Sequence, residues 1–182
     1  MTEFVPLFPR QPVPLLHVKL VGGGLFDLRS EGPQHFTLVV FYRGLHCPIC
    51  KTQLRELESK LDEFDKRGVA VVAVSSDTKQ RAMQTREAWE LSRLRIGYGL
   101  DLAAARSWGL FISSGRGMTS AGVEEPERFS EPALYLIRPD GTLYFGSVQT
   151  MPFARPHFSD ILAAIDYVLK NNYPARGEVR DL

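Results

Sequence analysis

Apolar residues along this chain fall into two alternating patterns: short β-branched and aromatic runs, and longer stretches with apolar positions three and four apart. The first predicts strands and the second helices, because side chains return to one face every second residue on a strand and every third or fourth on a helix. After a Pro-rich lead ending at Pro14, "LLHVKL" and "LFDL" flank "VGGG" and predict a β-hairpin with a glycine turn. The run "HFTLVVFY" is continuously apolar at its centre, as a strand buried on both faces would be. It is followed by "CPICKTQLRELESKLDEFDKRG", where Leu54, Leu57, Leu61 and Phe64 predict one amphipathic helix ended by Gly68.

"VAVVAV", residues 69 to 74, reads as the next buried strand, with "SSDT" as a helix cap and a helix running through Trp89 and Leu91. A strand in "IGYGL", a short helix in "DLAAARSWGL" and a flexible glycine-, serine- and glutamate-rich loop from about residue 113 to 130 follow. "ALYLIRPDGTLYFGSV" predicts a hairpin turned at "PDG". A last helix carries Phe158, Ile161, Leu162, Ile165, Val168 and Leu169 on one stripe and stops at "NNYPARG". Strands alternating with helices predict an α/β fold, a mixed sheet covered by helices, in one domain over residues 1–182 with 1–14 as an extended lead.

Composition narrows the function classes. A chain of 182 residues with 44% apolar content and a net charge of +1 describes one soluble domain with a substantial core. With 22 basic and 21 acidic side chains and no long like-charge run, there is no basic field for nucleic acid. No apolar run approaches the roughly 20 residues of a membrane helix, and "MTEFVPLFPRQPVP" lacks the layout of a secretory signal, so a cytoplasmic protein is expected. Two cysteines make no disulfide scaffold, and in a reducing compartment a close pair points to redox chemistry or metal binding.

Both cysteines lie in "FYRGLHCPIC", residues 41 to 50. Proline favours the first helical position, so Pro48 places Cys47 at the N-cap and Cys50 at the third position, on one turn. Helix N–H groups and the positive end of the dipole favour a thiolate there, and a thiol one turn away can close a disulfide. Arg43 and His46 stand ready to add positive charge. Two plainer readings exist, buried inert thiols or zinc ligands with His46, but a zinc site wants four ligands and no second paired motif is present. His17, His35 and His157 read as structural or solvated. "GRGMTSAG" reads as a surface loop, since no strand leads into it as a phosphate loop requires. Trp89, Trp108, Phe111 and Tyr98 read as core, and Asp77 as a helix cap. No dinucleotide fingerprint occurs, so neither organic cofactor nor metal is expected.

"FTLVVFYRGLHCPICKTQLREL" resembles the active-site segment of the thioredoxin-fold peroxiredoxin-like proteins, the alkyl hydroperoxide reductase and thiol-specific antioxidant superfamily. "VPLLHVKLVGGGLFDL" is similar to the N-terminal hairpin that peroxiredoxins add to the thioredoxin core, and "VAVVAVSSD", "DLAAARSWGL" and "EPALYLIRPDGTLYF" resemble later segments in the same order. The resemblance implies a thioredoxin-like fold with a peroxiredoxin-type hairpin extension. On the peroxidase pattern, Cys50 takes the peroxidatic position, Cys47 that of the preceding threonine, Arg43 that of a proline, and Gln53 the acidic or amide position one turn later. The arginine that usually precedes the later strand is missing, Pro132 standing there; Arg43, Arg128 and Arg155 of "MPFARP" are the candidates to replace it.

On the thioredoxin pattern, Cys47 is instead the exposed attacking thiolate, Cys50 its resolving partner, and Pro132 falls where a cis-proline faces the pair. The residues leave open which cysteine attacks first. The resemblance implies a thiol peroxidase acting on hydrogen peroxide or organic hydroperoxides through a Cys47/Cys50 cycle. The alternatives are a disulfide reductase using the same motif, and a redox-sensing module without turnover. Implied partners are a thiol reductant, either a thioredoxin- or glutaredoxin-like protein or a small thiol, and a second copy in a homodimer.

Overall fold

The most continuously apolar segment becomes the middle of the sheet. The computed structural model describes residues 4–181, so Met1–Glu3 of the lead and Leu182 lie outside the described residues. The hairpin strands β1 (His17–Leu20) and β2 (Leu25–Asp27) come first, then β3 (Phe36–Phe41), every residue of which is buried. Helices α1 (Pro48–Ser59) and α2 (Leu61–Asp65) lead to β4 (Val69–Val74), and α3 (Lys79–Ala88) leads to β5 (Ile96–Tyr98). The chain continues through α4 (Leu102–Ser107), β6 (Ile112–Ser114), β7 (Arg128–Ser130), β8 (Ala133–Ile137), β9 (Leu143–Val148) and α5 (Phe158–Asn171).

Seven strands form one sheet in the order β2-β1-β5-β4-β3-β8-β9, and β6 and β7 form a separate pair. β3 runs parallel to β4 and antiparallel to β8, so the sheet is mixed. Alternation along β3 splits its side chains between two cores. Phe36, Leu38 and Val40 join Leu54, Leu57, Phe64, Ala82, Phe158 and Ile165, while Val39 and Phe41 join Trp108, Tyr135 and Ala105. Helices therefore cover both faces, which is why β3 and β4 read as unbroken apolar runs. Trp89 and Trp108 are buried, as their core reading requires.

The structure departs from expectation in four places. The helix after the cysteines breaks at Lys60, whose N–H turns back to Leu57 O at 3.0 Å in a tighter final turn, and Phe64 beyond the break packs edge-on to Phe158. Gly68 still ends the segment, at φ +65. α3 stops at Ala88 and does not reach Leu91, because Glu90 turns to φ +59. Residues 113–130 are not a free loop: Ile112–Ser114 pairs with Arg128–Ser130, Met118 bridges Glu124, and Phe129 is buried. The α3 cap is Thr78, which accepts the Arg81 N–H, whereas Asp77 turns inward.

Leu54 sits at 0% exposure between α1 and the sheet. Leu54→Ala is expected to destabilise the protein by about 2–5 kcal/mol, read as a lower urea midpoint at unchanged slope.

Candidate active site

β3 delivers the chain to the cysteines through a turn at Tyr42–His46. The Cys47 N–H closes that turn on Gly44 O at 3.1 Å, and Pro48 begins α1 with the proline ring where no N–H is needed. Cys47 is the N-cap, with φ −101 and ψ 103, and its Sγ accepts the Cys50 N–H at 3.2 Å. A sulfur thus does the work usually done by a serine or aspartate oxygen. Both cysteines are free thiols at 0% exposure. This corrects the expectation of an exposed Cys47: the N-cap turn folds beneath the end of the sheet, and the sulfur joins the core cluster that also holds Tyr42, Cys50 and Leu54.

Arg155, from the segment between β9 and α5, is the cation at the sulfurs. Its Nη2 donates to Cys50 Sγ at 3.2 Å and approaches Cys47 Sγ at 3.7 Å. Its Nη1 donates to Gln53 Oε1, and its Nε to Pro152 O at 2.7 Å, so the guanidinium is held on three sides. Gln53 lies one turn beyond Cys50 on α1, which brings its amide to the same guanidinium.

The two thiols share one proton unequally. The Cys47 thiol is pulled down from 9.0 to about 6, chiefly by a hydrogen bond from the Cys50 thiol, with the Cys50 N–H, Arg155 and Arg43 adding to this against burial. Cys50 is pushed well above 9.0 by burial and by donating to Cys47. Arg155 is nearer to Cys50, but it favours the thiolate at both sulfurs. Two thiolates in one buried turn repel each other, so the proton stays on the sulfur that has lost more solvation and serves as donor.

Other sequence candidates lie close by with different surroundings. Arg43 stacks over the Phe129 ring at 4.6 Å and faces Glu131 at 3.2 Å and Glu125 at 3.4 Å, so its charge is largely matched before it reaches Cys47. His46 is not a positive neighbour: burial, then Arg43 and Arg81, push its imidazole down to about 3. Arg81 donates to His46 Nδ1 at 3.3 Å, which leaves the ring proton on Nε2. Arg128 sits exposed on β7. Pro132 is buried one residue before β8, whose register with β3 sets Ala133 against Phe41, so it stands at the cysteine end of the sheet.

Among the described residues no peptide bond is cis, which corrects the cis-proline expectation at Pro132. The Glu131 N–H bonds Phe111 O at 2.7 Å and Pro132 O accepts the Gln149 N–H at 3.0 Å, an extended path on both sides of the proline. Among the described residues, no group of three or more His, Cys, Asp or Glu is placed to hold a metal.

Sequence reading passed over Asp77, Arg81, Glu125 and Glu131 as a set. Asp77 accepts the Leu45 N–H and Arg81, Glu125 accepts the Arg116 N–H, and Ser113 donates to Glu131 at 2.6 Å. The only sequence signal for Glu125 and Glu131 is the crowding of acidic residues between 124 and 131, and none marks Arg81.

The chain matches the AhpC/TSA family over residues 9–145, well over half its length. It belongs to that family. Solved structures share its fold: Mycobacterium tuberculosis AhpC at TM-score 0.72 and 14% identity, covering 92% of this chain and 96% of that one, and the peroxidoxin BcpB of the same organism at 0.69 and 15%, covering 89% and 98%. A reduced 2-Cys peroxiredoxin from Plasmodium vivax matches at 0.72 and 17%, covering 92% and 86%. A comparison with curated proteins gave no match. The AhpC/TSA family and the adjacent cysteines support a thiol peroxidase and do not favour the two alternatives. Arg155 lies beyond the family match, whereas Arg43, Cys47, Cys50, Gln53 and Pro132 lie within it.

A folded-state thiol pKa of about 6, below the ordinary 9.0, means that the native state binds fewer protons than the unfolded chain between those values. The resulting stability is present above pH 9.0 and is lost as pH falls through about 6. The urea midpoint of the reduced protein is expected to rise, relative to Cys47→Ser, between those pH values. Arg155→Met should move the Cys47 thiolate midpoint upward by about one pH unit, read by ultraviolet absorbance.

Proposed function

We propose that this AhpC/TSA protein reduces hydrogen peroxide or small organic hydroperoxides, with Cys47 attacking and Cys50 resolving. The Cys47 thiolate displaces one peroxide oxygen, giving Cys47 sulfenic acid and an alkoxide or hydroxide that takes up a proton. The Cys50 sulfur then attacks the sulfenic acid, water leaves with the Cys50 proton, and a Cys47–Cys50 disulfide forms. Two thiols of a reductant return the pair to the dithiol state and are themselves oxidised to a disulfide.

The observation that carries this reading is the placement of one guanidinium on both sulfurs, with the Cys50 N–H directed at Cys47 Sγ. Arg155 favours the thiolate before attack and stabilises charge developing on the departing oxygen. Gln53 and Pro152 O hold it in place. Burial of both sulfurs supports a small peroxide over a protein disulfide, which needs an open groove to bring its own sulfur into line. A thioredoxin- or glutaredoxin-like protein or a small thiol is the proposed reductant.

The test is the second-order rate at which the fully reduced protein loses thiols to hydrogen peroxide, against free cysteine at the same pH. A rate orders of magnitude above free cysteine is expected; a rate like free cysteine would return the assignment to the disulfide reductase. Either Cys47→Ser or Cys50→Ser is expected to abolish the intramolecular bridge, and a variant that still lost two thiols per peroxide, as the parent does, would refute the cycle.

A further inference from the structure

Asp77 takes no part in the reaction above, yet it is only 3% exposed and both of its carboxylate oxygens are engaged. Oδ2 accepts the Leu45 N–H at 2.7 Å, and Oδ1 accepts Arg81 Nε at 2.9 Å. Leu45 lies within the turn that Cys47 closes on Gly44 O. Gly44 adopts φ +134, and a Cβ there would fall 2.7 Å from Asp77 Oδ2, so glycine lets the carboxylate reach the turn. Asp77 is itself anchored between strands: its N–H donates to Ser75 Oγ at 3.2 Å and its carbonyl accepts the Gly99 N–H at 2.8 Å. Arg81 extends the hold to His46, next to Cys47, and to Glu124 O at 3.2 Å.

We infer that Asp77 is a positioning residue for the Cys47 thiolate: through the Leu45 N–H its carboxylate fixes the Gly44–Cys47 turn and so keeps Cys47 Sγ in reach of the Cys50 N–H. The inference rests on the proposed function in taking Cys47 as the attacking sulfur.

Position and field act in opposite directions here, which makes the role measurable. Removing a negative charge near Cys47 lowers its pKa, whereas loosening the turn withdraws N–H donation to the thiolate and raises it. The groups facing Cys47 are Arg155, Arg43 and the Cys50 thiol; those facing Asp77 are Arg81, the Leu45 N–H and the Tyr42 phenol. His46 is neutral, and Glu125 and Glu131 are matched by Arg43. Burial raises the Asp77 pKa against the pull of the Leu45 N–H and Arg81.

The experiment titrates the Cys47 thiolate by ultraviolet absorbance in a Cys50→Ser background, with and without Asp77→Ala or Asp77→Asn. Asp77→Ala is expected to raise the midpoint by about one pH unit, against the field effect. Asp77→Asn keeps an oxygen for the Leu45 N–H and is expected to stay at or below the parent. A midpoint for Asp77→Ala at or below the parent overturns the inference, as does an equal rise in both variants. Should Asp77→Ala not fold, Asp77→Leu takes its place: it fills the volume of the carboxylate without an acceptor for the Leu45 N–H, a rise is expected, and an unchanged midpoint overturns the inference. The readout is ionisation and not turnover. A parent that reacts slowly with peroxide defeats the proposed function and leaves this titration to be read on its own.

Discussion

Two buried sulfurs in one helix turn, facing a single guanidinium, are the constraint on which this site depends. Cys47 and Cys50 lie in the first turn of α1, both at 0% exposure, and one donates to the other. Neither sulfur has water to solvate a charge. The thiolate is therefore held by directed donors, the Cys50 N–H and thiol together with the Arg155 guanidinium. Such donors are in place before any substrate arrives, and in a site shielded from water they act more strongly than they would at the surface. In the proposed cycle the proton remains on Cys50, so the contact that favours the Cys47 thiolate keeps its partner neutral for the second step.

The fold exists around this arrangement in a specific sense. β3 carries the chain through the middle of the sheet and ends where the N-cap turn must begin. β4, parallel to β3, ends level with it at Val74, so the turn after β4 brings Asp77 beside Leu45. β8, antiparallel on the other side, starts at that same end and brings Glu131 and Pro132 there. Three strand ends thus converge on one helix N-terminus. The arginine comes from further along the chain, after β9, where the segment leading to α5 crosses back over α1 and reaches Gln53.

What the sequence made legible followed from local geometry. The glycine hairpin, the buried β3 and β4, the "PDG" hairpin and the last helix depend on periodicity and turn residues, and they form as those patterns indicate. Pro48 placed Cys47 at the cap and Cys50 one turn on, because that spacing is intrinsic to a helix. Long-range placement was not legible. Three arginines were equal candidates by sequence, and only the packing of a segment more than a hundred residues away distinguishes Arg155. Asp77 looked like a cap because Ser, Asp and Thr at a strand end usually are; Thr78 takes that role, and the turn before Cys47 draws Asp77 inward. His46 looked cationic, but neighbouring Arg43 and Arg81 together with burial keep it neutral. The depth of Cys47 is hidden for a related reason: a motif shows which turn a residue occupies, not how deeply the turn is covered.

The central claim is that Cys47, not Cys50, meets the peroxide. It is tested most directly by finding which sulfur carries the first oxygen, using single-turnover oxidation with hydrogen peroxide, a sulfenic-acid trap and mass spectrometry on Cys50→Ser and Cys47→Ser. The account predicts a trapped adduct on Cys47 in Cys50→Ser, formed at a rate near that of the parent, and little or none on Cys50 in Cys47→Ser. A fast adduct on Cys50, with Cys47 unlabelled when it stands alone, would contradict it.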